Sequence, residues 1–147
     1  MLISEENILE LIPQRYPMVM IDNLVTCDEK QAISKLNIRR ENLFLNSHGL
    51  TSAGMMEAMA QTAAARTGYL MKNQPESENI KIPIGVIGSI KNFRMNFQPL
   101  IGSVIVTTVS IEHEVLQATV VKGKVEMNGE LAAESDMQIF LTEDQPV

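Results

Sequence analysis

The chain has 147 residues, 45% hydrophobic and 20% charged, a composition typical of one globular domain with a buried core. Its formal net charge of −6 disfavours a nucleic-acid partner held through phosphate contacts. The single cysteine, Cys27, excludes a disulfide within the chain. The chain also has only two histidines, so it offers almost no ligands for a zinc site, and we expect no metal.

The start of the chain bears on where the protein resides. Residues 1–15 lack the basic start and the long apolar core of a secretory signal peptide. No apolar run in the sequence is long enough to span a bilayer. We therefore expect a cytoplasmic protein without membrane insertion.

The first part of the chain predicts a short helix and two strands. Ser4, followed by two acidic residues, is typical of a helix start, and Pro13 ends that helix early. Residues 18–26 and 31–38 are β-branched or alternate in polarity, which predicts two strands. The polar residues 28–30 predict a turn between them, so the strands should pair antiparallel.

The strongest helical signal covers residues 51–72. Its centre, residues 55–65, is rich in Met and Ala and is apolar nearly all round, which predicts a helix buried on most sides. The preceding residues 40–50 predict irregular structure. The helical signal fades after residue 72, and residues 74–79 predict a polar surface loop.

The remainder of the chain predicts antiparallel strands. Four further strands are expected, at residues 82–94, 104–111, 117–127 and 131–141. Asn128 and Gly129 between the last two are a strong hairpin signal. This order predicts an α+β fold over residues 1–147, with a long central helix wrapped by a curved antiparallel sheet in a single domain.

Glu57 is the first candidate for chemistry. It lies in the second turn of the apolar helix, where a carboxylate is costly unless it is paired or protonated. Gln61 is four residues further on and therefore on the same face. Two polar groups on one apolar helix indicate a site that opens onto this face. The alternative is that Glu57 only favours the positive end of the helix dipole.

His48 is the second candidate. It lies just ahead of the long helix, and histidine is the usual general base near neutral pH. The alternative is an ordinary surface histidine in a polar loop. The other histidine, His113, falls near a predicted strand end, and we expect it to be solvated.

The entrance of the long helix is the third candidate. Ser52, Ala53 and Gly54 are small, and backbone N–H groups at a helix start can bind an anion or polarise a carbonyl. The alternative is simple capping of the helix by Thr51 or Ser52.

Four segments together resemble a known family. They are LIPQRYPM at 11–18 followed by ID at 21–22, EAMAQ at 57–61, KNFR at 91–94 with Pro99 and Gly102, and NGELAAE at 128–134. Their order and types resemble the signatures of the 3-hydroxyacyl-(acyl-carrier-protein) dehydratases. The likeness covers almost the whole chain.

The resemblance implies a hotdog fold that assembles as a homodimer or a trimer of dimers. It also implies dehydration of 3-hydroxyacyl thioesters to trans-2-enoyl thioesters. In that family a loop histidine and an acid of the long helix act together across a dimer interface. Glu57 matches the helix acid, His48 is the candidate for the loop histidine, and Phe93 of the KNFR segment would contact substrate.

Two features depart from the family pattern. Gln14 stands where the N-terminal signature usually has a histidine. Residues 48–54 are several residues shorter than the family's stretch from His-Phe-Pro-Gly to a further Pro-Gly, and they lack both prolines. This short form resembles the dehydratase-like hotdog proteins of aryl-polyene and related polyketide clusters.

The resemblance also gives a mechanism as a hypothesis. His48 would remove the proton next to the thioester carbonyl, and Glu57 would protonate the departing hydroxyl. Backbone N–H groups of Ser52, Ala53 and Gly54 would stabilise the enolate oxygen, and Gln61 would orient Glu57. No cofactor is required. The acyl chain would run along the helix between subunits.

The expected partner is an acyl-carrier-protein or CoA thioester. Carrier proteins are typically acidic, so an acidic chain needs a local basic patch to bind one. Candidates for that patch are Arg39, Arg40, Lys91 and Arg94.

Two alternative functions remain open on the same fold, because the fold alone does not determine function. One is an acyl thioesterase in which Glu57 or a nearby group activates water. The other is an acyl-binding or catalytically incomplete subunit, heteromeric with another hotdog chain that completes the active site.

Overall fold

In the computed structural model, residues 2–73 and 84–142 are described, and within them an antiparallel sheet of six strands surrounds a long helix. The elements in chain order are β1 (Asn23–Cys27), β2 (Gln31–Asn37), β3 (Leu45–Asn46), β4 (Gly49–Leu50), α1 (Ser52–Lys72), β5 (Ile84–Met95), β6 (Val104–Val115), β7 (Ala118–Met127) and β8 (Glu130–Thr142). The helix contacts every strand of the large sheet, so the sheet curves around it.

The sheet has the strand order β1-β2-β6-β7-β8-β5, and every neighbouring pair is antiparallel. The twelve-residue strand β5 therefore lies at one edge, although it directly follows the helix in the chain. Strands β3 and β4 form a separate small hairpin immediately before α1. The predicted arrangement of a long helix against a curved antiparallel sheet is confirmed.

The helix begins and ends close to its predicted bounds. Thr51 has an extended backbone, and its hydroxyl accepts a hydrogen bond from the Gly54 N–H at 3.3 Å, which caps the first turn. Small residues allow close packing of the sheet: a Cβ on Gly123 of β7 would lie 2.6 Å from Met59 Sδ. No helix in residues 2–73 or 84–142 is both long and apolar enough to cross a membrane.

The N-terminal segment differs from its prediction. Instead of an α-helix it forms one 3₁₀ turn, Ile8–Glu10, and Leu11 and Ile12 then pack into a core cluster with residues of β1 and α1. The predicted strand 18–26 begins only at Asn23. The reason is that Met18 and Met20 hydrogen-bond to a side chain of α1 instead of to a neighbouring strand.

The other boundaries follow the sequence more closely. The turn at 28–30 and the Asn128–Gly129 hairpin are confirmed, the latter with positive φ at both residues. Residues 40–50, predicted to be irregular, contain the β3–β4 hairpin. Strand β6 continues past Ile111 to Val115. The predicted surface loop at 74–79 lies outside the described residues.

A buried charge fixes the helix against the sheet. The guanidinium of Arg66, whose side chain is 4% exposed, donates to the carbonyl oxygens of Asp28 at 3.0 Å and Glu29 at 2.7 Å. It also donates to the Glu114 carboxylate of β6 at 2.7 Å. A buried charge is tolerated only with such partners, so Arg66 ties the helix to both the β1–β2 turn and β6.

The β6–β7 turn contains a strained and exposed leucine. Leu116 has φ +55° and a fully exposed side chain, and a left-handed conformation costs an L-residue about 1–2 kcal/mol. We expect Leu116→Gly to raise the free energy of unfolding by about 0.5–1 kcal/mol in urea denaturation, because glycine adopts this conformation freely. Leu116→Ala is the control, since it removes the apolar side chain but keeps the strain. A glycine variant no more stable than the alanine variant contradicts this expectation.

Candidate active site

The candidate site is built around a buried amide on α1. The Gln61 side chain is 0% exposed, and its Oε1 accepts a hydrogen bond from the Met20 N–H at 2.7 Å. Its Nε2 donates to the Met18 carbonyl at 2.8 Å and to Glu57 Oε1 at 2.8 Å. Because Met20 supplies a donor and Met18 an acceptor, the amide can point in only one way. Its NH₂ group must therefore face Glu57.

Glu57 is half-buried, and its two carboxylate oxygens have different surroundings. Oε1 is held by Gln61, whereas Oε2 accepts no hydrogen bond from the described residues. A carboxyl group with one oxygen fixed and the other without such a partner can serve as a general acid or base. The structure thus brings Glu57 and Gln61 together as predicted, with Gln61 behind Glu57 and itself inaccessible.

His48 lies at the tip of the β3–β4 hairpin. Asn46 and Gly49 pair, which leaves Ser47 and His48 as the turn, and the His48 side chain is exposed. The His48 N–H donates to Asn46 Oδ1 at 2.8 Å. Among residues 2–73 and 84–142, no hydrogen bond joins His48 to Glu57. The pairing expected from the family is one between subunits, so it stays a prediction.

The hairpin is docked against the segment that follows β5. The Leu50 N–H donates to the Pro99 carbonyl at 2.8 Å. At Gly49, φ is +123° and a Cβ would lie 2.2 Å from the same carbonyl oxygen, so only glycine fits there. These contacts set where the turn sits relative to the helix entrance.

At the helix entrance, the three predicted residues have different roles. Gly54 is buried, and a Cβ there would lie 2.5 Å from Leu50 Cδ1, while its N–H is taken by the Thr51 cap. Ser52 is half-buried and Ala53 is exposed, and their N–H groups donate to no acceptor in the part of the chain that the structure describes. Two of the three predicted backbone donors are therefore open.

Edge strand β5 presents an apolar ledge toward the helix side of the sheet, formed by Ile90, Phe93 and Met95. Ile90 pairs with Met137, and Met95 pairs with Ala133, both of which are buried, so all four point to the same face. Nevertheless Ile90 is 37% and Met95 44% exposed, because β5 lies at the edge. Phe93, predicted to contact substrate, is half-buried and packs against the core beside them.

Two of the four residues of the predicted basic patch, Arg39 and Arg94, form ion pairs. Arg39 donates to the buried Asp22 at 3.1 Å and to Glu5 at 3.2 Å, and the hydrogen bond with Asp22 raises the pKa of Arg39. Arg94 forms an ion pair with Glu134, its partner across the β5–β8 register. Lys91 lies opposite Asp136 in the same register, but the Asp136 carboxylate forms its ion pair with Lys122 at 3.7 Å. Arg40 is exposed and forms no ion pair with any described residue.

Two polar residues near His48, Asn46 and Gln98, are not among the site residues predicted from the sequence. Gln98 Nε2 donates to Asn46 Oδ1 at 3.1 Å and to the Leu50 carbonyl at 3.2 Å. The spacing of Asn46 and Gly49 is a turn signal that could have located the hairpin. Gln98 gives no comparable signal, because its partners lie about fifty positions away in the chain.

Comparisons with known proteins agree on one family. The sequence model of a family described as ApeP-like, ApeP dehydratase, matches residues 6–146. The 3-hydroxyacyl-(acyl-carrier-protein) dehydratase FabZ of Ruminiclostridium cellulolyticum is 24% identical over 147 residues, covering 96% of this chain and 99% of that protein. FabZ of Streptococcus pneumoniae serotype 4 is 28% identical over 137 residues, covering 90% and 93%.

A solved structure resembles the whole chain. It is the dehydratase heterocomplex ApeI:P from Xenorhabdus doucetiae, which matches with a TM-score of 0.82 and 17% sequence identity over 93% of this chain and 91% of that one. This likeness confirms the predicted hotdog fold.

The Gln61 hydrogen bonds have a measurable consequence. Gln61→Leu keeps the bulk of the side chain but removes the hydrogen bonds to the Met18 carbonyl and the Met20 N–H, and it leaves the buried Met20 N–H without a partner. We expect the free energy of unfolding to fall by about 2–4 kcal/mol in urea denaturation. Gln117→Leu, an exposed position in the β6–β7 turn, should change it by less than about 0.5 kcal/mol. Equal effects of the two changes would show that Gln61 has no such role.

Proposed function

Because the chain belongs to the ApeP-like dehydratase family, we propose that it converts 3-hydroxyacyl thioesters of acyl carrier protein or CoA to trans-2-enoyl thioesters. The observation that carries the proposal is the half-buried Glu57 carboxyl group, which has one oxygen fixed by buried Gln61 while the other accepts no hydrogen bond from the described residues. The FabZ relatives, named as 3-hydroxyacyl-(acyl-carrier-protein) dehydratases, support the same substrate class.

The reaction begins with removal of a proton from C2 of the acyl chain. Neutral His48 accepts this proton, and the electron pair of the C–H bond moves toward the thioester carbonyl. Negative charge then develops on the carbonyl oxygen. The open N–H groups of Ser52 and Ala53 at the entrance of α1 suit the stabilisation of such an oxyanion.

The reaction ends with loss of the C3 hydroxyl group. Protonated Glu57 donates its proton from Oε2 to this hydroxyl, which leaves as water while the C2–C3 double bond forms. Gln61 keeps Oε1 in place during the transfer. His48 then releases its proton to water, and Glu57 takes up a proton from water. These two transfers restore the starting state.

The active site is completed by a second subunit. No hydrogen bond joins His48 and Glu57 among the described residues of one chain, and we infer that each active site uses His48 of one subunit and Glu57 of the other. The acyl chain lies against the β5 ledge, whose exposed apolar side chains run along the edge where the sheet ends. The assembly is a homodimer or a trimer of dimers.

The catalytic roles are tested by hydration of a crotonyl thioester, followed through loss of the enoyl absorbance. We expect His48→Ala and Glu57→Gln each to lower kcat/KM by at least about 100-fold, since each removes a proton-transfer group. His113→Ala is the matched control, because His113 is exposed on β6, and it should retain full activity. Unchanged turnover in both variants would exclude the assignment, and release of free thiol instead of formation of a 3-hydroxyacyl thioester would identify a thioesterase.

Mixing the two inactive variants tests the shared site. In a dimer of one His48→Ala chain and one Glu57→Gln chain, one site has both wild-type residues and the other has neither. Random assembly of co-expressed chains should therefore recover about one quarter of the wild-type activity in a symmetric dimer. No recovery, with mixed dimers demonstrated by mass spectrometry, would contradict a site shared between copies of this chain.

A second candidate function is supported by the likeness to the ApeI:P heterocomplex. In that case this chain contributes Glu57 and α1 to a site that a different hotdog chain completes. The purified chain would then be inert alone and active only when mixed with that second chain. Full activity of the purified chain alone would exclude this function.

A further inference from the structure

The side-chain amide of Gln98, which lies outside the hairpin, holds the turn that carries His48. Asn46 Oδ1 accepts two hydrogen bonds, one from the His48 N–H at 2.8 Å and one from Gln98 Nε2 at 3.1 Å. The same Nε2 donates to the Leu50 carbonyl at 3.2 Å, at the other end of the hairpin. We call the Gln98 amide with its acceptors on Asn46 and Leu50 the Gln98 clamp.

The hairpin needs such support. Strands β3 and β4 have two residues each, and a two-stranded hairpin is at best marginally stable on its own. Residues 46–48 are exposed, so little packing restrains the turn. The clamp and the hydrogen bond from Leu50 to Pro99 are the contacts that fix it to the segment after β5.

We propose that Gln98 is a positioning residue for His48, acting through Asn46. The inference rests on the proposed function, in which His48 removes the C2 proton. Gln98 itself does not touch the reacting atoms. It fixes the Asn46 side chain, which in turn fixes the backbone N–H of His48 and so the point from which the imidazole extends toward the partner's active site.

The chemistry of the clamp requires an amide at position 98. The Asn46 atom that faces Gln98 must be an oxygen, because the His48 N–H already donates to it. The Leu50 partner is also an oxygen, so residue 98 has to supply two N–H donors. A glutamate at 98 has the same shape but presents only acceptors to two oxygens. It would therefore repel both and release the turn.

Two substitutions with matched controls test the clamp. Gln98→Glu is compared with Gln117→Glu, the same chemical change at an exposed turn. Asn46→Leu is compared with Asn46→Asp, which keeps an acceptor for both donors. Amide hydrogen exchange of residues 46–50 is measured together with kcat and KM for crotonyl thioester hydration, and exchange in β6 to β8 serves as an internal reference for global stability.

We expect Gln98→Glu and Asn46→Leu to speed exchange of the His48 N–H at least about tenfold. Both changes should also lower kcat about 10- to 100-fold with KM nearly unchanged. The reason is that displacing a reacting group by about 1 Å can lower the rate by this factor. Gln117→Glu and Asn46→Asp should resemble the wild type. Unchanged exchange in Gln98→Glu would overturn the clamp. Faster exchange with unchanged kcat would overturn the positioning role. A wild-type chain that hydrates no thioester would overturn the proposed function and this role with it, an outcome distinct from either of the others.

Discussion

The buried amide of Gln61 is the interaction on which both the fold and the candidate site depend. A buried amide without partners would cost several kcal/mol, and here its oxygen and both its N–H groups are used, by Met18, Met20 and Glu57. Binding the backbone at 18–20 draws this segment onto α1 and delays the start of β1 until Asn23. Binding Glu57 gives an acid on an apolar helix a defined orientation. One side chain therefore determines the path of the N-terminal segment and the position of the carboxyl group.

The candidate site includes apolar surface that is exposed at the edge of the sheet in a single chain. Strand β5 ends the sheet, so Ile90 and Met95 remain exposed although they point to the helix side. His48 extends from the two-residue turn of the β3–β4 hairpin. In this chain the helix acid has a supporting glutamine, and His48 is presented by a hairpin that contacts Pro99 and Gln98.

Features set by local chemistry could be predicted from the sequence. The helix was expected at 51–72 and spans Ser52–Lys72, because helix formers and the Thr51 cap lie within the segment itself. Features set by distant contacts could not be predicted. Met20 and Gln61 are 41 positions apart, so no local pattern indicates their hydrogen bond. The sequence therefore predicts a first strand from residue 18, whereas β1 begins at Asn23. The pairing of Arg94 with Glu134 depends on the β5–β8 register. The sequence alone therefore did not show that a carboxylate neutralises Arg94. At the site, Glu57 and Gln61 could be paired from their spacing, but no local pattern linked Gln98 to Asn46.

In the proposed site, the Gln61 amide holds one carboxylate oxygen of Glu57 and leaves the other for the substrate. The most direct test is a crystal structure of the assembled protein with a stable 3-hydroxyacyl thioester analogue. We expect Glu57 Oε2 to lie within about 2.6–3.2 Å of the 3-hydroxyl, with the acyl chain along β5 and a His48 imidazole beside C2. An analogue bound away from α1, or a Glu57 carboxyl covered by protein on both oxygens in the assembly, would contradict it.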